Sequence, residues 1–338
     1  MFEKFIEAFR DRLASSDKII ITTHKNPDGD AMGSSLALML YLRSLGKDAK
    51  VIVPNRYPDF LHWMPGQEEV LDFLADPKLA RGLILEADLV CALDFNHPSR
   101  AGEVEHALRK TEAPIAMIDH HLNPDDFAQM AWSDPSKCAT AEMIFLLLEA
   151  LEGNTTFTAH VSSCLYAGII TDSGGFRFSN TTPLTLRIGA ALMENGAVPY
   201  KIYEAIFDTH SEHRMRLMGY ALRDKLRVLP AYRTAYISLT AEELETYHFK
   251  PGDTEGFVNL ALSIQNVVFA VFMAEKDGLI KMSFRSSGTF PANEVASSHF
   301  QGGGHLNAAG GISQDTMQET IDRFVGLLPT YENELKKA

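Results

Sequence analysis

Short apolar segments alternate with helix-period segments along this chain. That alternation predicts an α/β protein: a parallel-sheet domain, a helical connector, and a smaller α/β domain. Three observations carry the expectation. Residues 18–53 read as strand, helix and strand. Four apolar segments in the first half each run into Asp or His. Beyond the connector the texture changes to closely spaced strands, with Asp277-Gly278 as a hairpin signal. The expected boundaries are 1–195 for the first domain, 196–217 for the connector and 218–338 for the second domain.

The elements follow in order. Phe2, Phe5, Ile6, Phe9 and Leu13 recur at helical spacing, so the N-terminus predicts a helix with one buried face. Lys18–Thr23 is a β-branched run too short for a helix and predicts a strand. A helix over 31–45 follows, stopped by Gly46. Ala49–Val53 is the next strand, closed by Pro54. This strand–helix–strand unit implies a parallel pair with a right-handed crossover. Leu89–Leu93 and Ile115–Ile118 predict further strands, separated by a helical 99–110. Segments 140–152 and 158–170 predict helices, the first deeply buried because it is almost continuously apolar. A helix over 184–195 is stopped by Gly196. Residues 198–227 are helical and amphipathic in pattern, an interdomain connector and a surface for a homodimer. Thr234–Leu239, Val267–Ala274 and Leu279–Arg285 predict strands, and 316–328 a terminal helix.

Composition narrows the function. The chain has 338 residues and is 46% hydrophobic, enough for two domains with full cores. Its net charge of −13 argues against a long groove for duplex nucleic acid. Bound cations would reverse that sign locally, so a small phosphorylated substrate remains compatible. Cys91, Cys138 and Cys164 include no C-x-x-C pair. Thiols in a reducing compartment are the expectation. The N-terminus lacks an apolar signal core, and no apolar run approaches the ~18 residues of a membrane span. A cytoplasmic protein without membrane partners is expected.

The densest chemical signal lies at the ends of the apolar segments. Lys18–Thr23 runs into His24-Lys25-Asn26-Pro27-Asp28-Gly29-Asp30. Leu89–Leu93 runs into Asp94, Ile115–Ile118 into Asp119-His120-His121, and Leu165–Ile170 into Thr171-Asp172. Polar groups at the ends of buried segments need partners, and a metal suits Asp and His together. Alone, Asp94 would more often be a helix N-cap, His120 a satisfied core histidine, and Asp172 a turn residue before Ser173-Gly174-Gly175. Together the four clusters point to one convergent site. Mixed Asp/His donors suit Mn²⁺, with Zn²⁺, Fe²⁺ or Co²⁺ as alternatives.

These motifs resemble those of the DHH phosphoesterase superfamily. His24–Asp30 matches its first motif, Asp94 the second, Asp119-His120-His121 the third, and Thr171–Phe176 the fourth. The resemblance implies that His24, Asp28 and Asp94 hold one metal. Asp30, Asp94, His120 and Asp172 would hold a second, with Asp94 bridging. It implies two Mn²⁺ ions, with Mg²⁺ or Co²⁺ as substitutes. Asp94, His120 and His121 would form the catalytic set, His121 facing the phosphate and Asp119 orienting its neighbours. Two such cations can lower the pKa of a water that attacks phosphorus in line.

The second dense signal is Gly302-Gly303-Gly304-His305 with Asn307–Gly311. A glycine run lets backbone N–H groups approach an anion closely. The segment also resembles the GGGHxxAAG motif of the type-one DHH-associated domain. That resemblance implies that Gly303, Gly304, His305 and Arg285 grip the substrate's terminal phosphate. Arg100 is a further phosphate contact, in an Arg100-Ala101-Gly102 context where relatives often carry R-L-G. Metals on one domain and a phosphate grip on the other would define an interdomain active-site cleft. Within the superfamily the chain resembles the bacterial oligoribonuclease/3′-phosphoadenosine-5′-phosphate phosphatase group, the nanoRNases. The expected substrates are RNAs of two to five nucleotides and nucleoside bisphosphates. Cyclic or linear diadenylate hydrolysis is the alternative, and a catalytically silent nucleotide-binding regulator is disfavoured by the intact ligand set.

Overall fold

The computed structural model describes residues 2–338. It divides into two compact units, the first ending at Thr209 and the second running His210–Ala338.

The first unit is built on six parallel strands. In chain order its elements are α1 (Phe2–Ala14), β1 (Lys18–Thr22), α2 (Gly29–Ser44), β2 (Asp48–Val53), β3 (Leu71–Asp72), α3 (Pro77–Leu85), β4 (Leu89–Leu93), α4 (Glu105–Leu108), β5 (Ile115–Asp119), β6 (Met130–Ser133), α5 (Thr140–Glu152), α6 (Ala159–Asp172), α7 (Pro183–Glu194) and α8 (Pro199–Phe207). The strand order is β3-β2-β1-β4-β5-β6. Pairing is in parallel register, with Ile19 opposite Ala49 on one side and Leu89 on the other. Both faces of the sheet are covered, which is why its strands read as unbroken apolar runs. Ile19, Ile21, Val51, Cys91 and Ile118 pack into one core with residues of α1, α2, α5 and α6. Ile20, Ile52, Val90, Ala92 and Met117 pack into a second core with α3 and α4.

Helices α2 and α6 meet backbone to backbone. A Cβ on Gly33 would lie 2.5 Å from the Cys164 carbonyl oxygen and 2.9 Å from the Gly168 nitrogen, and one on Gly168 would lie 2.6 Å from the Cβ of Ala141 on α5. Only glycine permits this approach. Its consequence is positional, because Asp30 opens α2 and Asp172 closes α6.

The second unit carries a mixed sheet, β11-β12-β10-β9-β8-β7. Its strands are β7 (Leu226–Leu229), β8 (Thr234–Leu239), β9 (Phe269–Lys276), β10 (Leu279–Ser286), β11 (Gly303–His305) and β12 (Ala308–Ser313). Its helices are α9 (Glu212–Tyr220), α10 (Ala241–Thr246), α11 (Phe257–Leu262), α12 (Ala292–His299), α13 (Met317–Leu327) and α14 (Glu332–Lys337). Only β8 and β9 pair in parallel; the other neighbours are antiparallel. The hairpin expected at Asp277-Gly278 is present. Both residues have positive φ, 55° and 74°, as a two-residue type I′ turn requires.

Several expectations are corrected. The continuous connector helix does not form. Helix α8 ends at Phe207, Ser211 caps α9 by accepting from the Arg214 N–H, and Leu226–Leu229 is a strand. Residues 196–217 are therefore shared between the two units. The helix expected over 99–110 breaks at Gly102, where φ is 55° and ψ −133°. In the glycine segment, Gly303–His305 and Ala308–Ser313 are paired strands.

Candidate functional site

The sheet order reverses between β1 and β4. In open parallel sheets a ligand site forms at such a switch point, outside the carboxyl ends of the strands. Here β1 delivers His24, β4 delivers Asp94, and β5 ends in Asp119 with His120 and His121 next. Helix α2 brings Asp30 from its first turn, and α6 brings Asp172 as its last residue.

These side chains form contiguous donor groups. His24, Asp28 and Asp94 make one; Asp30, His120 and Asp172 another; Asp94, His120 and His121 a third. Within each, the candidate ligand atoms lie within 4.8 Å of one another. Asp94 belongs to two sets through different oxygens. Its Oδ2 is 3.3 Å from His24 Nε2, while its Oδ1 is 3.5 Å from His120 Nε2 and 3.8 Å from His121 Nδ1. His120 Nε2 also lies 3.2 Å from Asp172 Oδ2 and 3.9 Å from Asp30 Oδ2. Asp94 takes a left-handed backbone conformation, φ 64°, which costs an aspartate about 1 kcal/mol. It is buried and is not an N-cap; His97 caps the short helix that follows.

Asp28 has two roles at once. Its Oδ1 caps α2 by accepting from the Asp30 and Ala31 N–H groups, and its Oδ2 lies 3.8 Å from His24 Nε2. It is the exposed member of the set. Asp30 is fully buried, and both its oxygens accept from the N-terminus of α5: Thr140 N–H at 2.6 Å and Ala141 N–H at 2.8 Å. Helix α5 has no side-chain cap of its own, so Asp30 supplies one from α2.

The electrostatics favour a cation. Burial, followed by the charges of Asp94 and Asp172, raises the Asp30 carboxyl well above its ordinary range. Burial opposes charge on His24, yet the hydrogen bond to Asp94 and the charges of Asp28 and Asp94 raise its pKa to about 9. Burial likewise opposes His120, and Asp172, Asp94 and Asp30 overcome it to raise this imidazole. Burial would raise Asp94 too, but the hydrogen bond from His24 and the charges of the three histidines hold its carboxyl down. In metal-free protein, protons on the histidines thus offset crowded carboxylates. Divalent cations would do so more fully, and mixed nitrogen and oxygen donors suit such ions.

Asp119 faces away from this exchange. Its Oδ1 accepts from His121 Nδ1 at 2.6 Å and its Oδ2 from the His121 backbone N–H at 2.8 Å. The carboxylate can only accept, so the proton of this bond lies on His121 Nδ1. Arg100 lies in the short helix after β4, and its carbonyl accepts from Lys25 N–H at 2.7 Å. This ties the Arg100 segment to the loop carrying His24.

Sequence reasoning missed two residues beside the donors. Thr140 Oγ1 donates to Asp94 Oδ1 at 3.0 Å. Asn180 Nδ2 donates to the carbonyls of Cys138 and Asp172, both at 3.1 Å. A threonine opening an apolar helix signals only a helix start, and an asparagine in a loop signals only a turn.

In the second unit, Arg285, Ala308 and His305 share one row across β10, β12 and β11. Opposed residues of antiparallel strands point to the same face, so Arg285 and His305 do. The glycines differ in role. Gly304 has φ 147°, and a Cβ there would lie 2.4 Å from the Ala308 carbonyl oxygen. Gly303 would meet nothing within 4 Å. The fold therefore requires glycine at 304 and not at 303, where open space remains.

The chain matches the family model of the DHH family N-terminal domain over residues 18–169, and that of the DHHA1 domain over 236–331. It is 34% identical to the bifunctional oligoribonuclease and PAP phosphatase NrnA of Thermus thermophilus, across 90% of this chain and 87% of that protein. It is 26% identical to the cyclic-di-AMP phosphodiesterase GdpP of Geobacillus thermodenitrificans, across 92% of this chain but 47% of that protein. Among solved structures, an exopolyphosphatase-related protein from Bacteroides fragilis superposes with a TM-score of 0.96 at 41% identity, covering 99% of this chain and 98% of that one.

Proposed function

Because the chain belongs to the DHH family, with a DHHA1 domain after its DHH domain, we propose that it is a metal-dependent phosphoesterase acting on short RNA. It hydrolyses oligoribonucleotides of a few residues to mononucleotides. It also converts 3′-phosphoadenosine 5′-phosphate and water to AMP and inorganic phosphate. The observation that carries this reading is Asp94, whose two oxygens face two different donor groups. A carboxylate placed between two donor groups in this way could serve cations held by both.

His24, Asp28 and Asp94 are the proposed ligands of one cation; Asp30, Asp94, His120 and Asp172 those of the other. Mn²⁺ is the proposed metal, for which Mg²⁺ or Co²⁺ substitutes. When bound, such a pair activates water for attack on phosphorus and offsets charge on the phosphoryl oxygens. The chain's own groups do the rest. Asp94, held in its strained conformation, fixes both donor groups to one frame. Asp119 orients the His121 ring, the proposed contact to the phosphate. Arg100 and, in the second unit, Arg285, His305 and the backbone at Gly303 and Gly304 are the proposed phosphate contacts. Arginine suits this task because its planar fork matches two phosphate oxygens.

Substrate size follows from charge. A net charge of −13 argues against holding a long polyanion through a basic surface. A short substrate needs only the cations and a few donors. Three free, buried cysteines accord with a reducing, cytoplasmic setting. No helix of the described residues is long and apolar enough to cross a membrane.

The relatedness to a cyclic-di-AMP phosphodiesterase supports a second reading, hydrolysis of diadenylates. Steady-state rates with Mn²⁺ on di-, tri- and pentanucleotide RNA, a long RNA, 3′-phosphoadenosine 5′-phosphate, linear pApA and cyclic di-AMP separate the two. Fast turnover of short RNA and the bisphosphate is expected. Preference for cyclic di-AMP over every linear substrate would replace the first reading with the second.

A further inference from the structure

Among the residues around the donor groups, Thr140 touches two of the proposed metal carboxylates and is not itself a proposed ligand. Its side-chain hydroxyl donates to Asp94 Oδ1 at 3.0 Å, and its backbone N–H donates to Asp30 Oδ2 at 2.6 Å. The residue is fully buried. Water therefore offers no substitute for either bond.

The bond to Asp94 has a directional consequence. An aspartate can rotate about its Cβ–Cγ bond. In one orientation its oxygens are divided between two partners; in another both turn toward one. Here Oδ2 lies 3.3 Å from His24 Nε2 and Oδ1 lies 3.5 Å from His120 Nε2. Only Oδ1 receives the Thr140 hydroxyl. An ionised carboxylate can only accept, so the hydroxyl hydrogen is committed to this oxygen. Thr140 sits in the first turn of a thirteen-residue buried helix, which makes it a rigid anchor.

We propose that Thr140 is a positioning residue that fixes the carboxylate plane of Asp94, keeping its oxygens divided between the His24–Asp28 donors and the His120–Asp172–Asp30 donors. The inference rests on the two-cation reading of the site and deepens it. Without the hydroxyl, Asp94 is free to turn both oxygens to His24. The His24–Asp28 donors would then keep both Asp94 oxygens, and the His120–Asp172–Asp30 donors would lose theirs. Hydrogen bonds that orient metal ligands are worth roughly ten- to a hundredfold in metal affinity.

Thr140→Val removes the hydroxyl at nearly constant shape and leaves both backbone bonds to Asp30 intact. Thr140→Ser keeps the hydroxyl and removes the methyl. The experiment is calorimetric titration of metal-free, full-length protein with Mn²⁺, beside steady-state kinetics on 3′-phosphoadenosine 5′-phosphate. Wild type is expected to take up two equivalents. Thr140→Val is expected to bind the first within about threefold of wild type and the second at least about tenfold more weakly. Its kcat should fall with KM little changed, and Thr140→Ser should restore both. Should Thr140→Val fail to fold, Thr140→Ala makes the same test with less demand for space. Two equivalents bound by Thr140→Val at wild-type affinity would overturn this inference alone. Equal loss in Thr140→Ser would assign the effect to packing and overturn it too. Uptake of one equivalent by wild type would overturn the two-cation reading, and the role of Thr140 with it.

Discussion

Gly168 is where packing and chemistry meet most closely, and replacing it by alanine gives a result that can be worked out in advance. The added Cβ would lie 2.6 Å from the Cβ of Ala141 and 3.0 Å from Asp30 Oδ1. Ordinary carbon–carbon contact is about 3.5–4.0 Å, so α6 must move roughly 1 Å from α5. The helix carries Asp172 one turn further on, and Ala141 is one of the two residues whose N–H groups hold Asp30. Overpacking of this kind costs about 1–3 kcal/mol. At about 2–4 °C per kcal/mol for a unit of this size, the first unit should melt roughly 2–12 °C lower. Displacing catalytic groups by about 1 Å should lower kcat/KM on the order of a hundredfold. Gly82→Ala is the control. It lies inside α3, and its Cβ would meet nothing within 4 Å. The same substitution there should stabilise by about 0.5–1 kcal/mol, through the backbone entropy of glycine, and leave turnover unchanged. Thermal melts of metal-free protein and Mn²⁺-dependent turnover check both. Gly168→Ala that melts with wild type and turns over normally would refute the argument that the glycine contact sets the site.

Other consequences are as direct. His24 is raised from 6.5 to about 9 in metal-free protein, so its charged ring stabilises the fold fully below pH 6.5 and less as pH rises through about 9. A cation at the His24 donors must displace that proton, so apparent Mn²⁺ affinity there should rise about tenfold per pH unit between about pH 6.5 and 8.5, with His120 adding to the release at the other donors. Calorimetry in two buffers of different protonation enthalpy should show the released proton, and a flat affinity with no release would contradict the account. Gly304→Ala should destabilise the second unit, because it forces a side chain against the Ala308 carbonyl at φ 147°. Gly303→Ala should leave melting unchanged and raise KM for 3′-phosphoadenosine 5′-phosphate by roughly tenfold; unchanged KM would remove Gly303 from the phosphate contacts. Arg285→Lys keeps the charge and loses the planar fork, so KM should rise on the order of tenfold with Mn²⁺ affinity unaltered. Equal activity of the lysine variant would show that only charge matters there.

The parts of this protein that were legible in its sequence are those where residue type is itself the constraint. β1, β4 and β5 are buried on both faces through their middles, so those stretches had to be apolar and ended visibly at His24, Asp94 and Asp119. Asp277-Gly278 was legible because a type I′ turn needs two positive φ values. By contrast, β11 and β12 consist largely of glycine and alanine, residues with little strand preference; β12 is a strand because β10 supplies a partner, and β11 because β12 does. The connector failed for the opposite reason: its periodicity was helical, but Ser211 starts a new helix and Leu226–Leu229 pairs with β8. The donor set shows a further limit. The motif marked Asp28 only as a candidate ligand, yet its Oδ1 also caps α2 while its Oδ2 faces His24. Asp30 likewise caps a helix distant in sequence while facing His120. A sequence motif reports which atoms can bind a cation. What holds those atoms in place is distributed over residues such as Gly33, Gly168 and Thr140. These act through close approach and single hydrogen bonds, which leave no period and no composition to read. Variants at these positions should therefore separate metal affinity from ligand identity more cleanly than any substitution among the ligands.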